Sequence, residues 1–372
     1  MNNKKKILFL ILGLPRGGAE RVVVDQINLL DRNLFVPYLC LLNNNLKNDF
    51  LSEVALGDEY KKILPFRNLF DWQAWKRIIT WIKQENFDVI YTHLFFANLV
   101  GRLAGKIVGI KKIIVVEHNV YLKRNFIERL TNKFLSLATN KIIAVSSSVK
   151  DYLVGVEKLN SQKIEVIYNG IDLDKYVFDK EKREKLRTFF GLSETDFVVL
   201  SVGRISKQKN YSLLLNIADE LNNCNHESVY FFIAGDNSNF LGKQLSDNVR
   251  TMNLLNHVFF LGPRDDIADL LSFADVFLMT SDWEGLSIAL IEAMATGLPV
   301  VVKNIPSLEE MTGLNNQFGL IAENKKDFVE KIIKLKKDVD SFEYYKQKSL
   351  DRSKDFSIEN NVKKIENLFL DI

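Results

Sequence analysis

Two carboxylates carry the chemistry that is easiest to read in this chain. Glu284 and Glu292 are separated by seven residues in the run 281–299, Ser-Asp-Trp-Glu-Gly-Leu-Ser-Ile-Ala-Leu-Ile-Glu-Ala-Met-Ala-Thr-Gly-Leu-Pro. The apolar stretch 275–279 ahead of them reads as a buried strand, and 287–295 as a helix stopped by Gly297 and Pro299. Gly285 gives the backbone freedom for a tight turn between the two. The N–H groups of Gly285, Leu286 and Ser287 would open the helix and form an anion site. Glu292 lies about five residues into that helix, and its Cβ tilts back toward the helix start. Its neighbours Ile288, Ala289, Leu290, Ile291, Ala293 and Met294 are apolar, where a free carboxylate is costly. An acid beside a phosphate repels it, so both acids suit hydroxyl groups. A nucleotide-sugar offers that pattern, with phosphates between two sets of hydroxyls.

Cations for those phosphates stand on another loop. The apolar run 197–202 is followed by Gly203, Arg204, Ile205, Ser206, Lys207, Gln208 and Lys209, with Asn210 placed to cap a helix over 212–221. Arg204 can grip a diphosphate in a bidentate way, and Lys209 acts as a point charge, a place for which Lys207 competes. Near the start, the run 7–12 reads as a buried strand and 19–30 has helical spacing. Gly17 and Gly18, between them, let backbone approach a ligand at a helix start. Two histidines follow strand-like runs: His93, which reads as a structural hydrogen-bonder, and His118.

The run 281–299 resembles the Glu-x7-Glu motif of the retaining GT-B glycosyltransferases of family 4, group 1. Gly17-Gly18-Ala-Glu-Arg resembles the family's first loop, and Asn169-Gly-Ile-Asp172 its interdomain segment. The resemblance covers nearly the whole chain. It implies two facing Rossmann-like domains, each a doubly wound parallel sheet, with the active site in the cleft. It implies that Glu284 contacts the donor sugar, Glu292 the ribose, and Arg204 and Lys209 the diphosphate. His118 would face the donor sugar, and the turn Gly262-Pro-Arg264 would hold the base, largely through backbone. The Lys of the family's cationic loop is commonly followed by Gly, where this chain has Asn210; Lys303 stands where Ser or Thr is common. The implied reaction moves a hexose or N-acetylhexosamine, with retention, from a nucleoside-diphosphate sugar to a saccharide or lipid-linked acceptor. A UDP-sugar is the expected donor. No Asp-x-Asp motif stands where a GT-A enzyme would hold Mn²⁺, and two cations make a metal unnecessary. No cofactor and no nucleic acid is expected.

Composition agrees with a two-domain globular chain: 372 residues, 47% hydrophobic and 26% charged. Cys40 and Cys224 form no disulfide framework, which fits a reducing cytosol. Residues 1–175 hold 26 Lys+Arg and 17 Asp+Glu, a net of +9; the other residues hold 24 and 30, a net of −6. A basic first half suits an anionic membrane surface or a lipid pyrophosphate. Trp72, Trp75 and Trp81 share the segment 72–83 with Lys76, Arg77 and Lys83. That pattern fits a membrane interface, but aromatics packed on a sheet are the favoured reading. Lys4-Lys-Lys6 and the apolar run after it mimic a signal peptide, but Pro15-Arg-Gly-Gly18 follows as a loop after a first strand would. No apolar stretch reaches the roughly 18 residues of a membrane-spanning helix.

Strands expected at 35–42, 63–64, 89–91, 113–116 and 142–145 alternate with helices at 72–84, 97–108, 126–138 and 147–153, as in a parallel sheet. The same alternation resumes with strands at 230–235, 258–261 and 299–302, and helices at 327–337, 342–349 and 358–370. The expected domains are 1–172 on the acceptor side and 173–355 on the donor side, with a helix at about 356–372 returning to the first. The protein is expected in the cytoplasm, peripheral on the inner face of the membrane. Competing readings are a nucleotide-sugar 2-epimerase of the same fold, against which the combined Glu-x7-Glu and Gly-Gly-Ala-Glu runs argue, and a non-catalytic partner that keeps the fold. A dinucleotide oxidoreductase ranks last, because no Gly-x-Gly-x-x-Gly follows the first strand.

Overall fold

The computed structural model describes residues 4–44, 50–120, 124–224 and 228–371. The chain divides into two compact units, one of residues Met1–Ile171 with Ile358–Ile372 and one of Asp172–Ser357. Along the first part run β1 (Lys5–Ile11), α1 (Gly18–Leu29), β2 (Phe35–Leu41), β3 (Lys61–Ile63), α2 (Trp72–Glu85), β4 (Val89–His93), α3 (Phe95–Val108), β5 (Lys112–Glu117), α4 (Phe126–Leu137), β6 (Lys141–Ala144), α5 (Ser147–Gly155) and β7 (Ile164–Val166). The second unit has α6 (Lys180–Phe189), β8 (Phe197–Val202), α7 (Tyr211–Asn223), β9 (Val229–Ala234), α8 (Phe240–Thr251), β10 (Val258–Gly262), α9 (Ile267–Phe273), β11 (Val276–Met279), α10 (Ile288–Ala295), β12 (Val300–Lys303), α11 (Pro306–Thr312), β13 (Leu320–Ala322), α12 (Lys325–Lys337) and α13 (Val339–Ser353). The last helix, α14 (Ile358–Leu370), belongs to the first unit.

Both sheets are parallel throughout, in the orders β3-β2-β1-β4-β5-β6-β7 and β10-β9-β8-β11-β12-β13. Strands covered on both faces must be apolar along their whole length, and Ile7 through Ile11 are each 0% exposed. In each sheet the winding reverses once, between β1 and β4 and between β8 and β11. At such a reversal the loops leaving the two central strands diverge, which opens a crevice at the strands' C-terminal ends where ligands bind.

Helix α14 is tied to the first unit by specific contacts. Gln26 Nε2 donates to Asn361 Oδ1 at 2.8 Å, and Asn361 Nδ2 donates to the Tyr168 carbonyl at 2.7 Å. Phe369 packs edge-on against Phe35 and Tyr91 at 5.8 and 5.2 Å. On α2 the tryptophans separate. Trp81 is buried against Phe87, and Trp75 packs half-buried on Phe66; Trp72 alone of the three is exposed. The 72–83 segment is therefore mainly a core-packing helix, and its indoles do not form one outward face. Among the described residues, no helix is long and apolar enough to cross a membrane.

Candidate active site

In the second unit the winding reversal brings together two loops far apart in sequence. The first leaves β8 at Gly203, whose φ of +153° a side chain would rarely adopt. A Cβ on Gly235 would lie 2.1 Å from the Gly203 carbonyl oxygen, so the ends of β8 and β9 pack backbone to backbone. One short helical turn follows at Lys207–Lys209; Asn210, left-handed at φ 47°, caps α7 by accepting from Leu213 N at 3.3 Å. The second loop leaves β11 and carries Glu284. The two are stitched by Asp282 N donating to the Gln208 carbonyl at 2.8 Å and Thr280 Oγ1 donating to the Lys209 carbonyl at 2.9 Å.

This stitching delivers Lys209 to Glu284. Lys209 Nζ lies 2.8 Å from Glu284 Oε1, with the two side chains 16% and 8% exposed. Gln208 Nε2 donates to Glu284 Oε2 at 3.1 Å and to the Trp283 carbonyl at 2.9 Å. Both oxygens of Glu284 are thus held, and the buried carboxylate is paired as it must be. Asp282 accepts from Asn210 Nδ2 at 3.0 Å and from Lys303 Nζ at 2.5 Å, so the two residues that depart from the family's pattern converge on one carboxylate. Arg204 and Lys207 are exposed, and Arg204 has no ion pair among the described residues.

Helix α10 begins at Ile288, one residue later than its sequence suggests. Ser287 is its N-cap, its hydroxyl accepting from Leu290 N at 3.4 Å, and a capping side chain competes with helical backbone at that position. The N–H groups that open the helix therefore belong to Ile288, Ala289 and Leu290, and Gly285, Leu286 and Ser287 form the approach. Gly285 has no positive φ, so the turn does not use the special freedom of glycine. Glu292 is half-buried on α10 and accepts from Tyr176 OH at 2.7 Å. Arg264 is engaged in a bidentate pair with Asp266, and the hydrogen bond from Arg264 holds the Asp266 carboxyl below its usual range. Gln208 and Tyr176 were not found from sequence. Gln208 was adjacent to a recognised lysine, whereas nothing in the spacing around Tyr176 distinguished it.

In the first unit Gly17 is the extended N-cap of α1, without a capping side chain, and Gly18 is the helix's first residue. His118 directly follows β5. Its Nε2 lies 3.1 Å from His93 Nδ1, and its Nδ1 lies 3.5 Å from Asn169 Nδ2. His93, expected only to make structural hydrogen bonds, is the direct partner of His118. Burial pushes His118 down to about 4, and burial, then the neighbouring His118, hold His93 well below its ordinary value. Both imidazoles are neutral at pH 7 when folded, while in the unfolded chain each gains a proton near pH 6.5. Their contribution to stability is complete above that pH and is lost as pH falls below it toward the depressed folded values. Nuclear magnetic resonance of the folded protein should find both rings neutral between pH 7 and 5. A ring titrating near 6.5 would contradict this burial.

Two family models match the chain: Glycosyltransferase Family 4 over residues 16–175, and Glycosyl transferases group 1 over residues 182–352. The chain is 29% identical over 315 residues to the Escherichia coli UDP-Gal:alpha-D-GlcNAc-diphosphoundecaprenol alpha-1,3-galactosyltransferase, covering 82% of this chain and 80% of that one. It is 27% identical over 370 residues to the Campylobacter jejuni N-acetylgalactosamine-N,N'-diacetylbacillosaminyl-diphospho-undecaprenol 4-alpha-N-acetylgalactosaminyltransferase, covering 95% and 96%. Among solved structures, Anabaena HepE in complex with UDP and glucose superposes with a TM-score of 0.86 at 20% identity, over 99% of this chain and 100% of that one. With one glycosyltransferase model on each parallel-sheet unit, the chain belongs to the family 4, group 1 glycosyltransferases and has the GT-B fold.

Proposed function

We propose that the protein transfers a hexose or N-acetylhexosamine from a UDP-sugar to a saccharide or lipid-linked acceptor in cell-surface polysaccharide biosynthesis, with retention and without a metal. The observation that carries this reading is the Lys209–Glu284 pair, fixed by Gln208 beside the winding reversal of the second sheet. Lys209 and Arg204, with the backbone at the start of α10, would take the diphosphate. Glu284 would meet hydroxyls of the transferred sugar. Glu292, oriented by Tyr176, would hold the ribose hydroxyls. Gly17, Gly18 and His118 are the first unit's proposed donor contacts, and backbone next to Arg264 would meet the base.

In the proposed reaction the bond between the anomeric carbon and the diphosphate oxygen breaks, and the acceptor oxygen bonds to that carbon on the same face. The acceptor's proton goes to the leaving diphosphate oxygen. The cations stabilise the charge that grows on the diphosphate, which is electrostatic catalysis and supplies what a metal would otherwise provide. UDP as the nucleotide is supported by the E. coli relative's named donor, and a lipid-linked acceptor by the diphosphoundecaprenol in both relatives' names. An acceptor on a lipid would place the protein at the inner face of the cytoplasmic membrane. The reading is tested by release of UDP from a UDP-sugar in EDTA, which should require an added diphospholipid-linked saccharide.

A further inference from the structure

Helix α4 turns most of its apolar side chains away from the interior. Its inward side is largely polar, with Leu135 the apolar side chain that packs on the core. Asn132 and Ser136 are buried, Asn132 donates to Glu157, and Lys163 Nζ donates at 2.9 Å to each of the Ser136 and Thr139 carbonyls at the helix's C-terminal end. Just ahead of the helix, buried Arg124 pairs with Glu117 at 3.0 Å and Glu157 at 2.6 Å. The outward side is apolar: Phe126, Ile127, Phe134 and Leu137 are 77%, 73%, 64% and 75% exposed, with Leu130 beside them. At 3.6 residues per turn these five fall within an arc of roughly 100°, and the buried Asn132 and Ser136 fall on the opposite side. Scattered exposed apolar residues are ordinary, but a continuous helical stripe of them marks an interaction surface.

A second pair of exposed apolar side chains belongs to the same end of the unit. Phe70 and Trp72 are 92% and 68% exposed, on the segment that enters α2. Phe66, just before them, packs on Phe96 at 5.8 Å, while the Arg124 guanidinium lies 4.8 Å from the Phe95 ring. The approaches to α2 and to α4 therefore both close on the first turn of α3.

We propose that the outward face of α4 docks this unit onto an anionic lipid surface. Charge selects that occupant. Residues 1–175 carry a net of +9 (26 basic, 17 acidic), and Arg129 and Lys133 flank the apolar stripe on one side. A second copy docked through the same face would bring like-charged units together, whereas anionic headgroups match them. An interfacial helix of this kind sinks its apolar side chains to the acyl boundary and leaves its flanking cations among the headgroups. The inference rests on the lipid-linked-acceptor reading, for which it supplies a way to hold the protein beside its substrate.

The experiment is co-sedimentation with vesicles of phosphatidylcholine alone and of phosphatidylcholine with phosphatidylglycerol. It compares the wild type with Phe126→Gln/Phe134→Gln/Leu137→Gln. All three side chains are exposed, so the variant should fold, with unchanged UDP affinity as the check. The wild type should prefer the anionic vesicles and lose binding as salt rises, and the variant should bind at least about tenfold more weakly. Equal binding of variant and wild type overturns the proposal. So does a wild-type dimer that the substitutions dissociate, without vesicle binding. Vesicle binding without turnover of any UDP-sugar would sink the proposed function and support the docking face. Turnover without vesicle binding would overturn the docking face alone.

Discussion

Lys209→Ala is expected to lower kcat/KM for sugar transfer by about 100- to 1,000-fold, the usual cost of removing one preorganised group that stabilises a developing negative charge. The loss has two parts. The diphosphate loses a fixed cation, and Glu284 loses the ammonium 2.8 Å from its Oε1, leaving a carboxylate held, among the described residues, only by the Gln208 amide. That unpaired charge would itself repel the diphosphate, so UDP affinity should fall by about tenfold or more. Lys209→Arg should restore little. A Cβ on Gly203 would lie 2.8 Å from Lys209 Cε, so the lysine stem runs tight along the backbone where a planar guanidinium does not fit. Steady-state kinetics with calorimetry on both variants measure this. Transfer by Lys209→Ala within about threefold of wild type would remove Lys209 from the proposed chemistry.

The two glutamates should separate in opposite ways. Glu284→Ala should lower transfer strongly, mainly through kcat if its contact with the sugar tightens as charge develops on the anomeric carbon. Its effect on UDP, which carries no sugar, should be nil or a modest gain, because the substitution releases Lys209 from its ion pair and leaves that charge to the diphosphate. Glu292→Ala should instead weaken UDP binding by about 10- to 100-fold, since each hydrogen bond to a charged group is worth roughly 1.5–3 kcal/mol. Tyr176→Phe removes only the hydroxyl that orients Glu292 at 2.7 Å, so it should show the same pattern at smaller size. Titrations with UDP alongside kinetics test all three. Equal loss of UDP affinity in Glu284→Ala and Glu292→Ala would show that the roles are assigned wrongly.

What was legible in the sequence follows from what is local. Buried strands such as Phe197–Val202 announce themselves as continuous apolar runs, and their alternation with helices gave the parallel sheets. Elements whose signal is weak were missed: α8 buries only three of its twelve residues, and α11 is seven residues starting at a proline. The start of α10 was misplaced because Ser287 fits both a first helical residue and a cap, and only geometry decides. The alternatives for Trp72–Lys83 were also open until packing placed Trp81 inside and left Trp72 out. Pairings between distant residues are not a local property. Lys209 meets Glu284, and His93 meets His118, because β8 neighbours β11 and β4 neighbours β5, an order that apolar runs do not encode. The outward apolar face of α4 escaped for the same reason, since periodicity identifies an apolar face without saying which way it points.

The most direct test of the central claim is the anomeric configuration of the product. A panel of α-linked UDP-sugars would be incubated in EDTA with a diphospholipid-linked saccharide, and the new linkage read by nuclear magnetic resonance. An α-linked product is expected, with one UDP released for each sugar transferred. A β-linked product, or transfer that appears only when a divalent metal is restored, would contradict it.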